Sequence, residues 1–99
     1  MDQAKHFASF YDRAAADQRI GVTHVSLYMA LLRLWAQGEG SNPFLVSRQE
    51  VMPVARIQGR ATYLKCMKEL EQYGFIEYSP SFNPVLRCEV KLLDLANAE

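Results

Sequence analysis

The positive charge of this chain is concentrated at the start of one helix-length segment. The stretch from Arg56 to Lys68 also contains Arg60 and Lys65 and holds no acid, although the whole chain is neutral, with 11 Lys and Arg against 11 Asp and Glu. Cations grouped on one surface favour a polyanion, because each phosphate that they neutralise releases bound counterions. The cluster therefore predicts contact with nucleic acid; a solvated helix face is the alternative.

The other residue types that carry chemistry are few and scattered. Cys66 and Cys88 have no CxxC spacing, and His6 and His24 stand alone, with no Ser, Cys or carboxylate partner that spacing would bring to them. We expect two reduced thiols and two structural histidines, with no metal site and no cofactor. No small-molecule effector can be identified, and the chain is not expected to be an enzyme.

The length and hydrophobicity of the chain predict one packed domain. It has 99 residues, of which 49% are hydrophobic. Its most apolar stretch, Val25 to Ala36, is interrupted by Arg33 and is too short to span a bilayer. The N-terminal MDQAKHFASF lacks the apolar region of a signal peptide. We therefore expect a cytoplasmic protein with no membrane partner.

The first third of the chain predicts two helices. The first covers Asp2–Gln18, with Asp2 as its N-cap. Its apolar stripe consists of Phe7, Phe10, Tyr11 and Ala14. The second helix, Thr23–Gln37, is apolar nearly all round. Such a helix must be covered on several sides, by the first helix or by a second subunit.

The middle of the chain predicts a short strand and a short helix. Phe44–Val46 is an apolar run of strand length. Ser47 and Glu50 match a capping box that opens a helix ending near Ala55. Pro53 lies inside this helix and removes one of its hydrogen bonds, which predicts a kinked or short element.

A turn at Arg56–Gly59 then leads to a helix at Arg60–Tyr73, which ends at Gly74 as its C′ residue. The helical period divides this helix into two faces. The predicted inward face consists of Ala61, Tyr63, Cys66, Met67 and Leu70. The predicted outward face consists of Arg60, Thr62, Leu64, Lys65 and Lys68.

The last third predicts a β-hairpin. Phe75–Ser79 reads as one strand, and SPSFNP follows as a loop. Val85–Leu92 alternates apolar and charged residues, as a half-buried strand does. Across this hairpin, Glu77 and Glu89 are expected to lie near each other.

Two helices joined by a tight turn and followed by a hairpin resemble the winged helix-turn-helix proteins of bacteria. The segment GRATYLKCMKELEQYGFI is similar to the recognition-helix segment of GntR-type regulators, at Gly59–Tyr63 and at Leu70, Gly74, Phe75 and Ile76. The chain departs from that family at Gly59 and Leu64, and it has no room for an effector domain. The resemblance implies a mainly α fold with a small β-hairpin (α+β), a winged helix-turn-helix with an extra N-terminal helix.

The implied organisation is a single domain over residues 1–99, with a helical extension at 1–20, the winged helix-turn-helix at 23–92 and a frayed tail at 93–99. The implied function is duplex DNA binding, by a small transcriptional regulator or an accessory factor of a mobile element. Helix 60–73 would enter the major groove, with a wing at 79–87. A homodimer is expected, because such regulators read paired half-sites.

Residue types and positions then suggest individual roles. Arg60 suits a phosphate or a guanine, and Thr62 a phosphate or a thymine methyl. Leu64 either meets a thymine methyl or joins the core. Lys65 and Lys68 suit phosphates.

The predicted DNA-binding set is Arg48, Arg56, Gln58, Arg60, Thr62, Leu64, Lys65, Lys68, Ser81, Asn83 and Arg87. The predicted dimer interface is Phe7, Phe10 and Tyr11. A different hypothesis stays open, in which the winged helix is a protein-interaction or assembly module that does not bind DNA.

Overall fold

Four helices and a small antiparallel sheet make up the fold in the computed structural model, which describes residues 3–38, 43–79 and 88–93. The elements in chain order are α1 (Gln3–Ala16), α2 (Val22–Gln37), β1 (Phe44–Val46), α3 (Arg48–Ala55), α4 (Arg60–Gln72), β2 (Ile76–Ser79) and β3 (Cys88–Leu92). The sheet has the strand order β1-β3-β2. The predicted α+β class and the order of its elements are confirmed. The Asp2 cap and the residues of the tail after Leu93 lie outside the described residues.

Helix α2 is the centre of the core. Its buried side chains are His24, Leu27, Tyr28, Ala30, Leu31, Leu32 and Trp35. They occupy most of its circumference, as the sequence predicts, so the helix needs cover on several sides. Helices α1, α3 and α4 all pack against it. Among the helices that are described, none combines the length and the apolar character that crossing a bilayer requires.

Helix α1 is anchored on α2 through one aromatic side chain. The Phe10 ring stacks on the Tyr28 ring with centroids 4.0 Å apart, and it meets the Phe75 ring edge-on at 5.4 Å. Phe10 has no exposed surface. The prediction that Phe10 belongs to a dimer interface is therefore wrong, because its ring is fully buried within the subunit. The neighbouring aromatic residues of the stripe, Phe7 and Tyr11, stay exposed.

Helix α3 begins and ends with specific polar contacts. The Glu50 amide donates to Ser47 Oγ at 3.2 Å, and the Ser47 amide donates to Glu50 Oε1 at 3.0 Å, which confirms the predicted capping box. At the other end, the Ser26 hydroxyl of α2 donates to the Ala55 carbonyl. This bond satisfies a carbonyl that the helix cannot use, and it joins α3 to α2.

The sheet is built on β3, which pairs with both other strands. Val90 lies opposite Phe44 on one side and opposite Tyr78 on the other. The alternating burial of β3 confirms the half-buried strand predicted there. The register places Glu77 directly opposite Lys91, with Glu89 diagonally adjacent on the same exposed face. The two acids are therefore near each other, as expected, and Glu77 is paired with an opposite charge.

Truncating the buried ring of α1 should destabilise the fold. We expect Phe10→Ala to lower the free energy of unfolding by about 3–5 kcal/mol, because it leaves a cavity beside Tyr28. Urea unfolding followed by circular dichroism measures the change. Phe7→Ala removes the same side chain from an exposed position of the same helix and should change stability by less than about 0.5 kcal/mol. Equal losses in both variants would contradict the packing described here.

Several groups that ionise at high pH are buried in their neutral forms. The Tyr28 hydroxyl has no hydrogen-bond partner among the described residues, and burial raises its pKa to about 12. Burial also raises the pKa of Tyr63, Cys66 and Cys88. The unfolded chain therefore loses these protons at lower pH than the folded one. Their contribution to stability is complete at neutral pH and is lost as pH rises from about 8.5.

We expect Tyr28→Phe to make stability less sensitive to alkaline pH. Between pH 9 and pH 11 the variant should lose about 1 kcal/mol less than the wild type, because the tyrosine ionises in the unfolded chain first. At pH 7 it should be as stable or more stable, since an unpaired buried hydroxyl is removed. Urea titrations across this pH range test the effect. Tyr11→Phe, at an exposed position, serves as the control and should follow the wild type.

Candidate nucleic-acid interface

The turn between α3 and α4 is fixed by backbone hydrogen bonds. The Ile57 amide donates to the Met52 carbonyl at 3.0 Å, and the Arg56 amide donates to the Pro53 carbonyl at 3.2 Å. This pair of bonds is a Schellman motif, in which the C′ residue adopts the left-handed conformation. Arg56 occupies that position with φ 61°, so a side chain stands where glycine is usual. The Arg56 guanidinium is thereby carried on an exposed turn directly before α4.

Helix α4 ends in the same motif. The Phe75 amide donates to the Leu70 carbonyl at 2.9 Å, and the Gly74 amide donates to the Glu71 carbonyl at 3.1 Å. Gly74 has φ 88°, which confirms its predicted role as the C′ residue. The chain then enters β2, so the orientation of α4 relative to the sheet is set at this end as well.

One face of α4 is buried and holds the helix on α2. The buried residues are Tyr63, Cys66, Met67 and Leu70. They recur at the spacing of a single helical stripe, and they confirm the predicted inward face with one exception. Ala61 is exposed. The helical period predicts a buried Ala61, but this residue lies in the first turn, ahead of the first buried residue of the helix, Tyr63.

The opposite face of α4 presents the predicted cations to solvent. We define the α4 surface as Arg56, Gln58, Arg60, Thr62, Lys65 and Lys68, all of which are exposed. The ion pairs found in the described part of the chain are Arg19 with Asp17 and His24 with Glu69. Neither pair uses a cation of the α4 surface.

Two further members of the predicted DNA-binding set are half-buried. Leu64 packs against the core cluster, which favours the packing role that the sequence left open for it. Arg48 lies in the first turn of α3, near enough to the Tyr63 hydroxyl to oppose the rise of its pKa. Both side chains are less exposed than the residues of the α4 surface.

The start of α4 lacks a side-chain cap. Its N-cap residue is Gly59, which offers no side chain to the first amides, and its first turn contains no acid. Amides at a helix start that are not capped are available to an outside acceptor, and the helix dipole places partial positive charge at the same end. The Arg60 side chain extends from this turn. The positive end of the helix dipole therefore lies beside Arg56 and Arg60, the first cations of the α4 surface.

The acids of α4 are held by other contacts. Glu69 Oε1 lies 2.8 Å from His24 Nε2, on the side of the helix that faces α2. Glu71 Oε2 accepts from the Tyr78 amide of β2 at 3.3 Å. Both carboxylates come after Lys68, as the sequence predicted. Within the described residues, neither carboxylate forms an ion pair with a cation of the α4 surface.

The remaining predicted site residues fall into two groups. Ser81, Asn83 and Arg87 lie outside the described residues. Phe7 and Tyr11 form an exposed aromatic pair on α1, with ring centroids 5.0 Å apart and the rings at 62°.

Sequence reasoning missed a polar cluster between α2 and α4. The sequence places no Ser, Cys or carboxylate partner beside His24, whereas the structure brings a thiol and a carboxylate to it. Ligand atoms of His24, Cys66 and Glu69 all lie within 4.8 Å of one another. The spacing of Cys66 and Glu69 signals that both are on one side of α4. His24 joins them only because α2 packs there, which no local pattern indicates.

Comparisons with protein-family models, curated proteins and solved structures give no match.

The two Schellman positions allow a matched test of the turn. We expect Arg56→Gly to stabilise the protein by about 0.5–1 kcal/mol, because glycine removes the cost of a left-handed side-chain residue. Gly74→Ala should destabilise it by about 1–2 kcal/mol for the same reason. The added Cβ would meet only Arg13 Nη2, at an ordinary distance of 3.7 Å, so backbone strain dominates. Thermal unfolding measures both changes, and the same sign in both variants would refute the assignment.

Proposed function

We propose that this chain is a winged helix-turn-helix protein that binds duplex DNA, as a small transcriptional regulator or as an accessory factor of a mobile element. Helix α3, the turn at Arg56 and helix α4 would form the helix-turn-helix. Strands β2 and β3 would form the base of the wing. The exposed α4 surface, whose cations form no ion pair with the other described residues, is the observation that carries the proposal. Arg56, Arg60 and Lys65 lie at or near the start of the helix, which would face the duplex.

The residues of the α4 surface have distinct roles in this proposal. Arg60 is best suited to a guanine edge or a phosphate, because it extends from the uncapped first turn. Lys65 and Lys68 would contact phosphates and set the position of the helix. Arg56 would reach the backbone from the turn, where a glycine would give a more relaxed conformation but no charge. A conformational cost retained at such a position is typical of functional residues.

A homodimer is part of the proposal, and α1 supplies its best surface. Phe7 is 41% and Tyr11 is 46% exposed, and the two rings lie together. Exposed aromatic pairs of this kind are enriched in protein interfaces. Phe10 has no part in it.

The competing function is a protein-interaction module. The neutral total charge favours it, as do further large apolar side chains that stay exposed, among them Val22, Leu45 and Val54. In that case the apolar side chains would bind the partner, and the α4 surface would be a solvated helix face.

Anisotropy of labelled duplex fragments from genomic DNA, titrated with the protein over a series of salt concentrations, separates the two functions. Binding that weakens steeply with salt and retains a few fragments at higher salt would support a site-specific DNA-binding protein. Absence of binding even at low salt would exclude the DNA proposal. The exposed apolar side chains would then become the first place to seek a protein partner.

Single substitutions on the α4 surface should then have graded effects. We expect Lys65→Ala and Lys68→Ala each to reduce the slope of log K against log salt by about 1, uniformly across sequences. Arg60→Ala should weaken binding to the preferred fragment by about 1–3 kcal/mol and should reduce the discrimination between that fragment and others. Arg33→Ala removes an exposed cation from α2 and should leave the slope unchanged. A slope that falls equally in all variants would indicate general charge attraction instead of docking by α4.

A further inference from the structure

The buried side of α4 carries three different metal-binding side chains in one place. His24 comes from the first turn of α2, and Cys66 and Glu69 come from successive turns of α4. His24 and Cys66 are buried, whereas Glu69 is half-buried and connects the cluster to solvent. The imidazole and carboxylate are already in contact, at 2.8 Å between Nε2 and Oε1. Cys66 and Glu69 adjoin the α4 surface, because Thr62 and Lys65 lie one helical turn before them.

This combination of ligand atoms has a definite metal preference. A thiolate sulfur, an imidazole nitrogen and a carboxylate oxygen together suit zinc and the chemically similar Co²⁺, and they do not suit Mg²⁺ or Ca²⁺, which bind oxygen ligands. Three protein ligands leave a fourth tetrahedral position for water. We propose that His24, Cys66 and Glu69 form a binding site for a zinc-type divalent cation that ties α4 to α2. The site goes beyond the proposed DNA binding and does not rest on it.

The spacing of the ligand atoms fits this class of ion after small movements. Around a tetrahedral zinc ion, ligand atoms lie about 3.4–3.7 Å apart, given metal–ligand bonds of about 2.0–2.3 Å. The present separations include one of 2.8 Å, and none exceeds 4.8 Å. Binding would therefore move the carboxylate slightly away from the imidazole and bring the thiolate inward. Changes in the side-chain torsion angles of Cys66 and Glu69 would produce these movements.

Binding also requires protons to leave or move. Burial raises the pKa of the Cys66 thiol, so the ion must displace the thiol proton to solvent and bind the thiolate. On His24, Nδ1 accepts from the Gly21 amide at 3.0 Å, so the proton of the neutral ring is on Nε2. Coordination through Nε2 moves that proton to Nδ1. The hydrogen bond that caps the start of α2 must then break.

Cobalt titration provides the direct test. We expect Co²⁺ added to the full chain to produce a sulfur-to-cobalt charge-transfer band and tetrahedral ligand-field bands. Cys66→Ser should abolish the charge-transfer band and weaken binding more than about 100-fold, beyond the loss typical of residues that merely support a ligand. Cys88→Ser is the matched control, because Cys88 lies on β3 and donates to the Val46 carbonyl. This variant should keep both the band and the affinity.

A second pair of variants tests the carboxylate and the linkage to α2. Glu69→Gln should weaken Co²⁺ binding at least about tenfold, whereas Glu71→Gln should not. Zinc added to ¹⁵N-labelled protein should shift the Gly21 amide resonance, because its hydrogen bond to His24 is lost. Circular dichroism verifies that each variant is folded. A charge-transfer band that is missing from the folded wild type, that survives Cys66→Ser or that depends on Cys88 would overturn the proposal.

Discussion

The need to bury α2 on almost every side is the constraint on which the rest of the structure depends. An apolar helix of this kind is stable in water only when other elements surround it. Each covering helix is attached by a different specific contact: α1 by Phe10 on Tyr28, α3 by the Ser26 bond to Ala55, and α4 by the His24–Glu69 pair. These contacts leave little freedom in how the surrounding helices are placed.

The placement of α4 follows directly from this constraint. Its buried stripe must face α2, so its remaining residues must face solvent. A neutral chain thereby acquires a locally positive surface, since the acids of the helix are engaged with His24 and with β2. The Schellman motif before α4 and the one at its end hold the helix between the turn and the sheet. Arg56 retains a charged side chain at the first of them, despite the conformational cost.

The two proposals use adjoining faces of the same helix. Binding of DNA would involve the exposed cations and the uncapped start of α4, whereas metal binding would involve Cys66 and Glu69 against His24. A metal ion bound by His24, Cys66 and Glu69 would add a rigid link between α2 and α4, and it would break the Gly21–His24 hydrogen bond. It would therefore act on the start of α2 as well as on the helix that carries the α4 surface. Either proposal can fail without the other.

The sequence by itself determined most of what is local. Several features depend only on residues close in sequence, and they were predicted correctly. They are the buried face of α4 apart from Ala61, the Ser47 capping box, the helix end at Gly74 and the alternation of β3. The exposed cations of α4 follow from the same helical period. Tertiary packing alone decided which aromatic residue of the α1 stripe is buried, that β1 joins the sheet beside β3, and that His24 meets Cys66 and Glu69. Those outcomes depend on contacts between distant segments, and the period of a single helix or strand carries no information about which partner will cover it.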